Sequence, residues 1–274
     1  MRRPLVSLLT DFGFDGPAAI VKAVVLRFAP DAQVVDISHT VSKFAIRDGA
    51  FILRGALPWF PIGVHVGVVD PGVGTERLPV ALRVARGDVL VGPDNGLLVP
   101  AAERLGGIAE ARAIENPEFM LPEVSGTFHG RDIFAPTAGR LAAGARFEDV
   151  GAAIDPERLV RVAFPAPVVG DGVLETAALY VDSFGNVRLG ATPADLGAAL
   201  GPLEAGAGLV VEIGPPGSGR VERVARVRTF GEVPVGASLL YVDSFGQLAL
   251  ADNQGSFARR LGIERDARVA IRRA

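Results

Sequence analysis

The sequence predicts an α/β protein, with a doubly wound N-terminal domain over about residues 1–165 and a smaller, mostly antiparallel β domain over 168–274 that could close into a barrel. Three observations carry this. Short apolar runs alternate with helical patterns as far as residue 143, the rhythm of a parallel or mixed sheet covered on both faces. Phe164-Pro165-Ala166-Pro167 then interrupts that rhythm with two prolines and no helical period. Beyond it, short strand-like runs follow one another between Gly/Pro turns such as Gly214-Pro215-Pro216-Gly217.

Pro4 to Thr10 is the first strand, closed by the turn-prone Asp11-Phe12-Gly13. Gly16-Pro17 opens a helix, since proline at the first helical position loses only an N–H that would have no partner there. The helix runs to about Phe28 and stops at Pro30. Gln33 to Ile37 is a second strand, Arg47 to Leu57 a second helix, and Val64 to Val69 a third strand. That strand is continuously apolar, as a strand buried on both faces must be. Strands at 79–84 and 88–92 and helices near 97–105 and 131–143 complete the domain. Further strands are expected at 174–181, 208–213, 221–228, 238–242 and 247–250. Tyr180-Val181-Asp182-Ser183-Phe184-Gly185 recurs as Tyr241-Val242-Asp243-Ser244-Phe245-Gly246, a repeat that a duplicated hairpin turn explains as well as a ligand site does.

Composition narrows the function. The 28 Lys+Arg against 31 Asp+Glu give a net charge of -3. This chain therefore lacks the basic balance that suits nucleic-acid phosphates or anionic membranes. Without cysteine there is no disulfide, thiolate metal site or cysteine nucleophile. No apolar stretch reaches the ~18 residues of a membrane span. The apolar run after Pro4 is also too short for the core of a signal peptide, so a cytoplasmic protein is expected. Only Lys22 and Lys43 represent lysine, arginine taking its place elsewhere.

Ligands of open α/β sheets bind beyond the carboxyl ends of the strands. Three acid-bearing turns are expected there: Thr10-Asp11-Phe12-Gly13, Val69-Asp70-Pro71-Gly72-Val73-Gly74 and Gly92-Pro93-Asp94-Asn95-Gly96. Each alone is ordinary turn chemistry. Together on one edge they point to a site, and an aspartate so placed can accept both hydroxyls of a ribose diol. G-x-G-x-x-G and G-x-x-x-x-G-K-[ST] are both absent, which argues against dinucleotides and triphosphates. His39 and His65 sit beside or within apolar strands and read as core imidazoles. His129, in Thr127-Phe128-His129-Gly130-Arg131-Asp132, is the better candidate for chemistry. No His-x-x-x-His or Glu-x-x-His pair supports zinc, and no G-x-S-x-G elbow supports a serine hydrolase. Composition leaves open a Mg²⁺ site built from Asp11, Asp15, Asp70 and Asp94.

Five motifs occur in order: Thr10-Asp11-Phe12-Gly13, the Asp70 loop with Arg77, Gly92-Pro93-Asp94-Asn95-Gly96, Phe128-His129-Gly130-Arg131-Asp132 and Asp182-Ser183-Phe184-Gly185-Asn186. Over residues 5 to about 262 the chain thereby resembles the adenosine-forming S-adenosylmethionine hydrolases, relatives of fluorinase and chlorinase. The resemblance implies a Rossmann-like N-terminal domain, a C-terminal β-barrel, and a homotrimer with active sites between subunits. It implies hydrolysis of S-adenosylmethionine to adenosine and methionine with no cofactor or metal. By the same transfer Asp70, Arg77 and His129 activate water, Asp11 holds the ribose hydroxyls and Phe44 packs on the ribose. Asp182 takes the methionine ammonium and Ser244 its carboxylate, while Phe184, Asn186 and Phe230 surround the adenine. Asp252 and Asn253 close that pocket, where the agreement is looser. The halogenases carry an extra N-terminal loop and hydroxyl-bearing halide pockets. This sequence shows no obvious insertion and has Gly72 and Val73 in the loop, departures that favour water as nucleophile.

These residue types suit such chemistry. A sulfonium leaves as a neutral thioether and needs no general acid, so the weak nucleophile is the difficulty. A guanidinium favours hydroxide, an imidazole has an intrinsic pKa suited to accepting a proton, and a carboxylate fixes either. The sequence leaves open which of the three takes the proton. Two rivals remain at this stage: a halide-using adenosyltransferase, and a non-catalytic sensor of adenosine or S-adenosylmethionine.

Overall fold

A computed structural model describes residues 3–274, so the first two residues of the expected N-terminal domain lie outside the described residues. The chain divides into two compact units, Met1–Val162 and Ala163–Ala274, the division falling just before the Phe164–Pro167 segment.

In the first unit the strands are Leu5–Thr10 (β1), Gln33–Ser38 (β2), Val64–Val68 (β3), Pro79–Val84 (β4), Val89–Pro93 (β5), Ile108–Ala113 (β6) and Ala153–Ile154 (β7). They form one sheet in the order β2-β1-β3-β5-β4-β6-β7. β2, β1, β3 and β5 run parallel, whereas β4, β6 and β7 join antiparallel. The sheet is thus mixed, its parallel half at the N-terminal strands where the crossover helices are. Helices Pro17–Phe28 (α1), Ile46–Ala56 (α2), Val99–Arg104 (α3) and Ala135–Ala142 (α4) complete the unit, with a π-helical turn Gly130–Phe134 leading into α4.

The period-two alternation of β1 and β3 sorts the helices onto two faces. Val6, Leu8, Val64, Val66 and Val68 pack with Val21, Val24 and Val25 of α1 and Ala135 and Ala138 of α4. Gly67, on the other face of β3, lets Leu53 of α2 and the Leu97-Leu98 segment approach; a Cβ there would stand 3.0 Å from Leu53 Cδ1. Beneath the sheet, Ser7, His65 and Asp88 form a buried chain, Ser7 Oγ lying 2.7 Å from His65 Nδ1 and Asp88 Oδ1 lying 3.0 Å from Nε2. Arg86 and Gly63 N–H fill the rest of the Asp88 carboxylate, so His65 is the satisfied core imidazole its position in the strand predicts. β6 is absent from the sequence reading because Ile108-Ala-Glu-Ala-Arg-Ala carries only one β-branched residue and reads as polar.

The second unit contains Val168–Gly170 (β8), Val173–Val181 (β9), Val187–Leu189 (β10), Gly208–Ile213 (β11), Arg220–Arg226 (β12), Ser238–Val242 (β13), Leu248–Asp252 (β14) and Arg268–Arg273 (β15), with helices Pro193–Leu200 (α5) and Phe257–Leu261 (α6). The order β10-β14-β13-β12-β11-β15-β9-β8 closes on itself because β10 also pairs with β9. This makes a barrel with β8 as an appended edge. Every pairing in it is antiparallel except β12 with β13. Leu174, Leu189, Val211, Leu240, Leu250, Phe257 and Ile271 fill its core. The sequence repeat is one turn used twice. Asp182 Oδ1 accepts from Phe184 N and Asn186 N (both 3.0 Å), and Asp243 Oδ1 accepts from Phe245 N (2.8 Å) and Gln247 N (2.9 Å). The glycines that follow sit at φ 85° and 79°, a backbone shape other residues adopt only with strain.

Candidate active site

Asp11 and Asp70 stand just beyond the carboxyl ends of β1 and β3, where two adjacent parallel strands leave a crevice. A cavity of about 370 Å³ opens there, lined among others by Asp11, Lys43, Phe44, Asp70, Phe128 and His129. Its size lies in the range of about 300–1,000 Å³ usual for small-molecule pockets.

Asp11 is buried and bonded on both its backbone and its side chain. Its N–H donates to Val68 O and its carbonyl accepts from Lys43 Nζ (2.6 Å), while Oδ2 accepts from Phe44 N (2.9 Å). Phe44 adopts φ 64° and presents an exposed ring at the cavity; its N–H to Asp11 is one of the bonds that hold this uncommon backbone.

The Asp70 loop curls back so that Arg77 meets Asp70 side-on. Arg77 Nε lies 3.0 and 3.1 Å from Oδ1 and Oδ2, and Nη2 lies 2.5 Å from Oδ2. The same Nη2 lies 2.8 Å from His129 Nδ1. A guanidinium can only donate, so Nδ1 accepts and a neutral His129 ring carries its proton on Nε2. Burial first, and the Arg77 charge second, hold His129 below its ordinary value of 6.5 against the opposing pull of Asp70 and Asp132. Arg77 stacks 5.3 Å from the Phe134 ring centroid, and its Nη1, also buried, has no hydrogen-bond partner among the described residues. Asp70 and His129 line the cavity, and Arg77 joins them as a bridge.

Three contacts support this trio. Asn95 Nδ2 donates to Val69 O (2.9 Å), immediately before Asp70. Gly74, at φ 77°, lets the Asp70 loop touch the segment carrying His129: a Cβ there would fall 2.3 Å from Gly126 O. Asp132 Oδ2 accepts from Ser125 N (2.9 Å) and ties the same segment to the π-helical turn. Asp94, the third expected acid, is occupied elsewhere. Its Oδ1 accepts from Val160 N (2.9 Å), its pKa is raised chiefly by burial, and it does not line the cavity. Among the described residues no group of three or more His, Cys, Asp or Glu is placed to hold a metal ion.

The residues named on the second unit fall in four places. Asp182, Phe184 and Asn186 share the β9–β10 turn, where Asn186 Nδ2 also donates to Asp182 Oδ2 (3.0 Å) and the Phe184 ring is exposed. Phe230 packs on Tyr241, with ring centroids 4.9 Å apart. Ser244 is exposed in the β13–β14 turn, at the opposite end of the short β10–β14 ladder from Asp182. Asp252 is taken up within the barrel. It accepts from Arg260 Nε (2.8 Å) and Nη2 (3.0 Å) and from Ser238 Oγ (2.8 Å). Asn253 donates its amide to Val233 O (2.8 Å).

The sequence reading did not single out Phe12, Phe128 or Lys43 as site residues. The two phenylalanines meet edge to face at 5.7 Å on the cavity wall, and their only sequence signal is adjacency to Asp11 and His129.

Residues 6–151 match the SAM hydroxide adenosyltransferase N-terminal domain, and residues 176–270 match its C-terminal domain. The chain belongs to this family. It is 44% identical to a protein of Salinispora tropica named (R)-S-adenosyl-L-methionine hydrolase, over 98% of this chain and 97% of that one. A fluorinase of an Actinoplanes species is more distant, at 28% identity over 99% and 98% of the two chains. Among solved structures, an uncharacterized conserved protein from Thermotoga maritima superposes with a TM-score of 0.90 at 33% identity, over 98% of this chain and all of the other. The SAM hydroxide adenosyltransferase fold therefore accounts for both units, the mixed α/β sheet and the closed barrel.

Proposed function

We propose that this protein hydrolyses S-adenosyl-L-methionine to adenosine and L-methionine, with Asp70, Arg77 and His129 handling the attacking water and Asp11 and Phe44 holding the ribose. The observation that carries it is the Asp70–Arg77–His129 bridge at the edge of the cavity that Asp11 and Phe44 also line. Support comes as well from relatives named for this reaction at near-complete coverage. The water oxygen forms a bond to ribose C5′ as the C5′–S bond breaks. Its electron pair goes to sulfur, and methionine leaves as a neutral thioether. The proton lost by the water goes to Asp70, because His129 Nδ1 is taken by Arg77 and the ring offers the cavity only a donor. Arg77 holds that carboxylate and favours oxygen anion character beside it, with a buried Nη1 still to be satisfied.

The remaining contacts belong to the second unit: Asp182 to the methionine ammonium, Ser244 to its carboxylate, and Phe184, Asn186 and Phe230 around the adenine. Asp252 and Asn253 contribute through the backbone they brace. We infer that these groups come from a neighbouring subunit of a homotrimer, as the family resemblance implies, since the residues assigned to water and ribose stand on the first unit and those assigned to adenine and methionine on the second. A cytoplasmic location is part of the same proposal, since S-adenosylmethionine is an intracellular metabolite.

Incubation of pure protein with S-adenosylmethionine in ¹⁸O-water is expected to yield methionine and adenosine labelled at the 5′-hydroxyl, at a rate indifferent to chloride or fluoride. A 5′-halo-5′-deoxyadenosine product would instead establish the halide-using reaction, and intact substrate after long incubation a sensor. Sedimentation is expected to show a trimer, with specific activity falling on dilution as it dissociates. A fully active monomer would refute the shared site.

A further inference from the structure

We infer that His39, which does not line the cavity, is a positioning residue for Asp11; this rests on the assignment of Asp11 to the ribose hydroxyls. His39 follows β2 directly and is 7% exposed, and Thr10, its partner on β1, is fully buried. Thr10 Oγ1 lies 2.9 Å from His39 Nδ1 and also accepts from Phe12 N (3.2 Å). The amide takes a lone pair of the hydroxyl, so the hydroxyl proton is free to be donated to Nδ1. The ring proton then sits on Nε2, which is 3.0 Å from Asp36 Oδ1 but outside hydrogen-bond geometry, and Lys22 Nζ anchors that carboxylate from its other oxygen. The backbone of His39 acts in the same direction, its carbonyl accepting from Gly13 N (2.7 Å).

One residue therefore braces the chain on both sides of Asp11: residue 10 through its ring, with Phe12 N bonded in turn to the Thr10 hydroxyl, and residue 13 through its carbonyl. Asp11 itself is held by Val68 O, Lys43 and Phe44 N, and His39 adds the brace on the residues either side of it. Asp11 Oδ2 is engaged with Phe44 N, leaving Oδ1 for a ligand, and where Oδ1 points depends on the turn that His39 braces. Removing the imidazole leaves the Thr10 hydroxyl without its acceptor in a buried site, and the turn gains freedom that ligand binding must then take away.

A double-mutant cycle tests this with adenosine as the probe, read by calorimetry, alongside steady-state kinetics on S-adenosylmethionine. His39→Ala is expected to weaken adenosine binding and raise KM by about tenfold, with kcat changed less than about threefold. In the Asp11→Ala background the same substitution is expected to cost less than about twofold in adenosine affinity, because the group it positions is gone. Thr10→Val, which keeps the packing but removes the hydroxyl, is expected to reproduce the loss and serves if His39→Ala does not fold. Equal losses of affinity with and without Asp11, or unchanged affinity in both His39→Ala and Thr10→Val with only thermal stability lowered, would overturn the inference alone. Wild-type protein that binds no adenosine would overturn both it and the ribose assignment.

Discussion

Arg77→Met is expected to lower kcat by about 10²–10³-fold, the usual cost of deleting one preorganised donor beside a reacting oxygen. Adenosine affinity should stay near that of the wild type. The asymmetry follows from the geometry: Asp11 is hydrogen-bonded to Phe44 at the cavity, whereas Asp70 and His129 are each hydrogen-bonded to Arg77. Methionine fills much of the same space against Phe134 while removing the charge and every donor. Arg77→Lys is expected to recover little, because one ammonium cannot reproduce the side-on grip on Asp70 together with the bond to Nδ1. A variant that turns over as fast as the wild type would remove Arg77 from the mechanism.

The same substitution has a spectroscopic signature. His129 is held below 6.5 by burial and by Arg77, while Asp70 and Asp132 pull it upward. Without the guanidinium one depressing cause is lost and both carboxylates remain, so the His129 titration should move up. NMR can follow it, since the protein has only three histidines. In the wild type the folded protein binds fewer protons than the unfolded chain between the depressed value and 6.5. The contribution of His129 to stability is therefore complete above 6.5 and lost as pH falls through the folded value. Activity should fall over the same acid limb, because a proton on Nδ1 would face the Arg77 donor.

Why the first unit was so legible lies in its turns. Asp11 and Asp70 each follow an apolar run that is plainly a strand, and in a parallel sheet the carboxyl ends of such strands share one edge. The same rule misplaces Asp94. β5 ends beside antiparallel β4, and the aspartate there meets Val160 N instead of the cavity. Long-range partners leave fainter traces. Nothing in the Asp252 motif announces that Arg260 and Ser238 fill its carboxylate, and nothing in the short strands β10 and β15 shows that they close a barrel. Residues of the second unit entered through motif resemblance. Their intramolecular bonds now separate exposed groups such as Phe184 and Ser244 from Asp252, whose carboxylate is already occupied.

Removal of the carboxylate should do more damage than removal of its partner. Asp70→Ala is expected to abolish measurable hydrolysis and also to destabilise the first unit by about 3–5 kcal/mol, the cost of leaving a buried ion without its counter-ion. The burial decides this: the side chains of Arg77 and Asp70 are 9% and 5% exposed, so water does little to replace the lost pairing. Asp70→Asn separates the two effects. Its amide oxygen still accepts from Arg77 and keeps the shape of the loop, so urea unfolding should show a clearly smaller loss of stability. It carries no negative charge to receive the proton of water, so turnover should fall nearly as far as in Asp70→Ala. Near wild-type kcat in Asp70→Asn would transfer the proton to another group, and unchanged unfolding in Asp70→Ala would mean that the guanidinium finds water or another acceptor once the carboxylate is gone.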